Sequence, residues 1–201
     1  MKCNRVLLIH GIDDTVAVFD TMSAYLKQLG WKVYSLNLIP CNGDCSLDLL
    51  AKQVADYVTK TFLPDEPFDL VGFSMGGIIS RYYVQRLGGI SRVQRVITIS
   101  SPHHGSWLGY ARQNPGCRQL RPESDFLQDL NRDAAMLARL NFTSIWTPFD
   151  LMILPANSSS MPVGKEVTVP ILLHSWMVRD SQSLRLVAQE LMEPLRNKHE
   201  A

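Results

Sequence analysis

The chain has 201 residues, 46% hydrophobic and 19% charged, and its 20 basic side chains against 19 acidic ones give a formal charge of +1. That length suffices for one domain with a full hydrophobic core, expected over residues 1–201. A charge so near neutrality leaves no footprint for nucleic acid or an anionic membrane. No apolar run approaches the roughly 18–20 residues that a membrane-spanning helix needs.

The first strand is predicted at Arg5–His10, "RVLLIH". Its apolar run is shorter than the roughly 7–15 apolar residues of a secretory leader, so the chain is expected in the cytoplasm. A helix follows, with Phe19, Met22, Leu26 and Leu29 on one face and Gly30 as its stop. The next strand is predicted at Lys32–Asn37. Cys41 and Cys45, in "CNGDC", could close a small disulfide loop, but with Cys3 and Cys117 they are read as reduced thiols. No histidine at ligand spacing completes a zinc site, so no metal is expected.

Ser46 is a predicted N-cap for a helix carrying Leu47, Leu50, Val54 and Tyr57. Strand Asp69–Phe73 runs into Ser74 and then into a helical pattern that stops at Gly88–Gly89. Strand Gln94–Ser100 opens the largest irregular region, Ser101 to Asn141. A stretch of that size is too long for a structureless connection, and short helices are expected at Ser124–Asn131 and Asp133–Leu140. This region leaves the carboxyl end of a strand, where doubly wound sheets bind ligands, so it should form a pocket wall or partial lid. Two more strands, Thr143–Thr147 and Val167–Leu172, flank a polar loop, Pro155–Gly164. The last helix starts near Asp180 or Ser181 and carries Leu184, Val187, Ala188 and Leu191.

Several of these strands are almost wholly apolar, as parallel strands covered on both faces should be. The alternation predicts an α/β fold: a compact, mostly parallel sheet of about six strands with helices on both faces.

The strand-to-helix junction reads "GFSMG", a Gly-x-Ser-x-Gly pattern in a strand–turn–helix frame. On so tight a turn, side chains two positions either side of Ser74 would strike neighbouring backbone, which explains Gly72 and Gly76; Gly77 should let the helix lie close to the sheet. An N-cap serine would fit the local pattern, but the frame favours a nucleophile facing a helix N-terminus. Its base should come later in the chain. His174 follows the last strand, whereas His199 sits in a charged tail. For the acid, Asp150 follows the preceding strand; Asp125, Asp129 and Asp133 follow no strand, and Asp180 suits a helix cap. The oxyanion donors would be the N–H groups of Met75, after the serine, and Ile12, after the first strand. His10, His103 and His104 are read as structural hydrogen bonders.

These residues resemble the α/β-hydrolases of the lipase and esterase group, especially small bacterial triacylglycerol-lipase-like enzymes. The resemblance is carried by "VLLIHGI", "DLVGFSMGGIISRYY", "VITISSPHHGSWLG", "FLQDLN", "TPFD" and "LLHSWM". It implies an α/β-hydrolase fold with a small or absent lid. It also implies Ser74 as nucleophile, Asp150 as acid, His174 as base, and the Ile12 and Met75 N–H groups as oxyanion hole. Phe73 stands where many relatives have histidine, and "IDDT" replaces a glycine-rich stretch after "HG".

Trp107, Leu108, Leu151 and Trp176 are candidate substrate contacts because they lie on loops that should rim the site. The expected activity is carboxylic ester hydrolysis without a cofactor, on a small-molecule or lipid ester with transient contact to a lipid surface. The same triad would serve an acyltransferase or thioesterase, and the scaffold alone would serve a binding protein.

Overall fold

The computed structural model describes residues 5–195; Cys3 and His199 lie outside them. Six strands, β1 (Arg5–Ile9), β2 (Lys32–Ser35), β3 (Phe68–Phe73), β4 (Val93–Ile99), β5 (Asn141–Trp146) and β6 (Lys165–Thr168), form one sheet in the order β2-β1-β3-β4-β5-β6. Every neighbouring pair is parallel. The helices are α1 (Asp20–Gln28), α2 (Leu47–Thr61), α3 (Met75–Arg86), α4 (Pro115–Gln119), α5 (Asp125–Arg132) and α6 (Ser181–Met192).

Side-chain alternation splits the core between the two faces of the sheet. Leu7, Ile9, Phe68 and Leu70 pack with Leu50, Val54, Ile78 and Leu127 of α2, α3 and α5. Val6, Leu8, Val71 and Phe73 point the other way, onto Met22 and Leu26 of α1 and Val187 and Leu191 of α6. Both faces being covered is why these strands read as unbroken apolar runs.

Two expectations are corrected, and one helix was not expected. The last strand ends at Thr168 rather than Leu172. Val169 N–H still bonds Trp146 O at 2.9 Å, but Pro170 has no N–H to continue the ladder. The expected helix at Asp133–Leu140 is a 3-10 segment, Ala134–Arg139. Asp133 is fixed by Arg86 at 2.6 Å and Asn141 already opens β5, so the segment must span a set gap with the larger rise of about 2.0 Å per residue. Helix α4 was missed; its signal was the Asn114–Pro115 pair, with proline at the first helical position.

The junction of β3 and α3 is set by close backbone approach. A Cβ on Gly76 would collide with the carbonyl oxygen of Ile9 and come within 2.6 Å of His10 O. One on Gly72 would lie 2.5 Å from Gly77 Cα. Both obstacles are backbone and cannot rotate away. Gly76→Ala is therefore expected to cost about 1–3 kcal/mol, the range of core overpacking. It should appear as a lower urea midpoint with unchanged slope; an unshifted midpoint would mean that the junction can relax.

Candidate active site

Ser74 sits between β3 and α3 with φ 53° and ψ −124°, a left-handed conformation rare for a residue with a side chain. Its N–H donates to Ile99 O at 2.8 Å, and its C=O accepts from Gly77 N–H at 3.1 Å. The turn is thus fixed from β4 and from its own helix. Met75 opens α3, so its N–H has no acceptor one turn back within the helix.

The loop after β1 crosses directly over this serine: a Cβ on Gly11 would lie 3.1 Å from Ser74 Cβ. His10 holds the loop in place. It is fully buried, its Nε2 accepts from Leu38 N–H at 3.0 Å, and its Nδ1 lies 2.9 Å from Gly11 O. Nε2 being an acceptor puts the proton on Nδ1, which donates to Gly11 O. Burial lowers the His10 pKa, consistent with this neutral form. The histidine is a strut beneath the Ile12 loop.

Asp150 lies in the turn after β5 and His174 in the 3-10 turn before α6. His174 Nδ1 is 2.7 Å from Asp150 Oδ2. The other carboxylate oxygen accepts from Met152 N–H at 2.9 Å and Ile153 N–H at 3.0 Å. The carboxylate is therefore oriented by its own loop before it orients the imidazole. Burial pushes its pKa up, but the His174 hydrogen bond and charge, with the two N–H groups, outweigh this and leave it below the ordinary value. The His174 ring also packs against Phe73, with centroids 4.7 Å apart.

Ser74 opens into two cavities. One, of about 380 Å³, is lined by Ser74, His174, Asp14, Phe73, Leu172 and Leu173. The other, of about 200 Å³, lies between Pro102, Leu108, Cys117, Leu120 and Ile153. Ile12, Ser74 and Met152 line both. Of the four expected substrate contacts, Leu108 lines the smaller cavity and Leu151 the larger. Trp107 lines neither; it is 61% exposed and stacks on Tyr110 at 5.5 Å. Trp176 also lines neither and is exposed.

The region after β4 forms a wall of the smaller cavity. His103 anchors its start: fully buried, it lies 3.3 Å from Arg81 Nη1 through Nδ1 and 3.0 Å from Thr98 Oγ1 through Nε2. Arginine only donates, so Nδ1 accepts and Nε2 carries the proton. Burial first, then the charge of Arg81, holds the His103 pKa well below its usual value. Arg81 Nη2 donates in turn to Leu130 O at 2.9 Å, and Asn131 Nδ2 to His103 O at 2.9 Å. Among the described residues no histidine, cysteine and carboxylate cluster is arranged to hold a metal. Cys41, Cys45 and Cys117 are free thiols.

Asp180 caps α6, accepting from Gln182 N–H at 2.8 Å. Asp13 and Asp14, which could have capped the segment after β1, leave that to Thr15, whose hydroxyl accepts from Ala17 N–H. Sequence reasoning missed the Met152 and Ile153 donors and the ion pair of Asp13 with Arg112 at 2.6 Å. Backbone donors leave no residue-type signal, and the ion pair joins loops far apart in the chain.

The sequence model of the palmitoyl protein thioesterase family matches residues 5–119. Lipase B of Aspergillus fumigatus superposes with a TM-score of 0.82 at 16% identity, covering 99% of this chain and 55% of its own. A mature lipase of Bacillus licheniformis gives 0.76 at 14% identity, with 94% and 92% covered. The thioesterase domain from the curacin biosynthetic pathway gives 0.66 at 14%, with 96% and 92% covered. The chain thus spans about half of the Aspergillus enzyme and nearly all of the other two. At these identities the likeness is one of fold, and that fold is the α/β-hydrolase fold.

The Asp150 geometry sets an acid limb to stability. A carboxylate with a depressed folded pKa contributes stability above its unfolded value of about 3.9, lost as pH falls through the folded value. Asp150→Asn should therefore flatten the fall in urea midpoint from about pH 5 downward. An acid limb identical to wild type would remove Asp150 from its cause.

Proposed function

Because the chain belongs to the palmitoyl protein thioesterase family of α/β-hydrolases, we propose that residues 1–201 act as a serine hydrolase domain that cleaves carboxylic esters, with Ser74, His174 and Asp150 as its triad. One observation carries the reading: the imidazole that meets Asp150 at 2.7 Å lines the same cavity as the serine hydroxyl. A serine held at positive φ at the mouth of that cavity supports it.

The chemistry follows from these positions. Asp150 accepts from Nδ1–H of His174, which leaves Nε2 as the base. Nε2 takes the Ser74 proton as Oγ bonds to the ester carbonyl carbon. The carbonyl oxygen becomes an oxyanion and receives the N–H groups of Ile12 and Met75. Collapse breaks the bond to the leaving alcohol, which takes the proton from Nε2. Water then repeats the sequence on the acyl-enzyme, and the acid departs as Ser74 regains its proton. No step calls on a cofactor.

The family description favours a second reading, a thioester as substrate, through the same steps with a thiol leaving group. Among the described residues no helix is long and apolar enough to cross a membrane. Exposed Leu151, Leu172 and Leu173 at the mouth suit transient contact with a lipid surface, and three free thiols suit a reducing, cytoplasmic setting.

An oxygen ester and a thioester of the same acyl group, turned over by wild type and Ser74→Ala, decide between the readings. Ser74→Ala is expected to lower kcat by about 10⁴-fold or more, and Asp150→Asn by roughly 10³–10⁴-fold. Turnover that survives Ser74→Ala would overturn the nucleophile, and a thioester preferred at equal chain length would establish the second reading.

A further inference from the structure

The two cavities at Ser74 are not equivalent, and the reaction geometry says which part of the substrate each takes. In the mechanism above the imidazole that receives the serine proton must hand it to the leaving group. The leaving group therefore departs into the cavity that contains His174, the larger one. His174 does not line the smaller cavity. With Ile12 and Ser74 common to both, the acyl chain is directed into the smaller one.

The lining of that cavity includes Cys117 and Leu120, each nearly buried, which we take as its floor. Its side wall is stapled by Arg121, which donates to Gly109 O and Arg112 O, each at 3.0 Å, and lies over the Tyr110 ring at 4.7 Å. A Cβ on Gly109 would stand 2.9 Å from Cys117 O, so this wall has no slack. On the solvent side, Arg112 and Asp13, each about half exposed, both line the cavity and pair with each other at 2.6 Å. Arg112 also donates to Asn42 O at 3.2 Å, which straps the wall to the loop before α2.

We propose that this cavity is the acyl site and that the Cys117–Leu120 floor and the Arg112–Asp13 ion pair restrict it to short acyl chains. A closed apolar cavity of about 150 Å³ holds benzene, so this half-open one, near 200 Å³, has room within its walls for roughly six to eight carbons. The selection rests on the hydrolase reading only for the assignment of its two sides. It predicts rejection of the sixteen-carbon acyl group that the family is named for.

Two measurements test it. In the first, kcat/KM is read for p-nitrophenyl esters from acetate to palmitate. Wild type should peak at hexanoate or octanoate and fall about tenfold or more by palmitate. Arg112→Ala should raise the laurate-to-octanoate ratio about fivefold, chiefly through KM. Ala111→Phe, at an exposed position lining the cavity, should move the peak to butyrate or below. A palmitate rate equal to that on octanoate, or a ratio and peak unmoved in both variants, would overturn the proposal.

The second needs no turnover. Burial raises the pKa of the Cys117 thiol, so its alkylation by iodoacetamide on Ser74→Ala is slow enough to follow by peptide mass spectrometry. Octanoate should slow it about fivefold more than butyrate or laurate. Equal protection by laurate, or none by any of the three, would overturn the acyl site. Protection by octanoate with no hydrolysis of any oxygen ester or thioester would leave the acyl site standing and defeat the hydrolase reading.

Discussion

The site depends on one backbone conformation. Ser74 is held at φ 53°, a state costing about 1–3 kcal/mol for a residue with a side chain, and the surroundings leave it no alternative. Its N–H is fixed to Ile99 O at the end of β4, and α3 presses Gly76 against the carbonyls of Ile9 and His10 at the end of β1. Three adjacent strands thus converge on one turn. Relaxing the serine would require α3 to lift off the sheet and expose Ile78 and Ile79, both fully buried. The strain is held by core packing, and its result is a hydroxyl facing two cavities at the carboxyl edge of the sheet.

Much of this was legible in the sequence because it is local or periodic. The apolar strand runs, the glycines around Ser74 and the helix stop at Gly88 follow from sterics acting over a few residues. The Asp150–His174 pairing was legible for a topological reason: each follows one of two neighbouring strands, β5 and β6, so parallel pairing carries both to one edge. What was not legible joins distant segments. The contacts of Arg112 with Asp13 and of Arg81 with His103 depend on how the loops after β4 and β1 fold back, which no period records. Cavity lining was also illegible: Trp107 and Trp176 are large and apolar in the expected loops, yet both sit in 3-10 turns and line neither cavity.

Two buried histidines support the loops that shape the site, and each is neutral with a set tautomer. His10 joins the Ile12 loop to Leu38, and His103 joins the wall after β4 to Arg81 of α3. An ammonium or guanidinium in either place could only donate, whereas imidazole accepts on one side and donates on the other. Each satisfies two buried backbone or side-chain groups at once in space too small for two residues. His10, His103 and His174 are thereby distinguished by their partners. Among these three, His174 alone meets a carboxylate and lines a cavity with the serine.

The acidic pair after the first strand bears on whether an oxyanion can form there at all. Two carboxylates next to the Ile12 N–H would oppose negative charge on a bound carbonyl oxygen. The structure separates their effects. Asp13 turns outward at φ 57° and is neutralised by Arg112, so the residue adjacent to the donor contributes little net field. Asp14 lines the larger cavity, where burial raises its pKa while the charges of His174 and Arg179 act in the opposite sense. In the proposed mechanism an acidic group on that side opposes the oxyanion but favours the imidazolium that forms in the same step. Because proton transfer creates both charges together, a carboxylate beside the base sees an ion pair rather than a lone anion. The fields that look hostile in sequence order are therefore largely compensated for the proposed reaction, which leaves its oxyanion to the donors proposed at Ile12 and Met75.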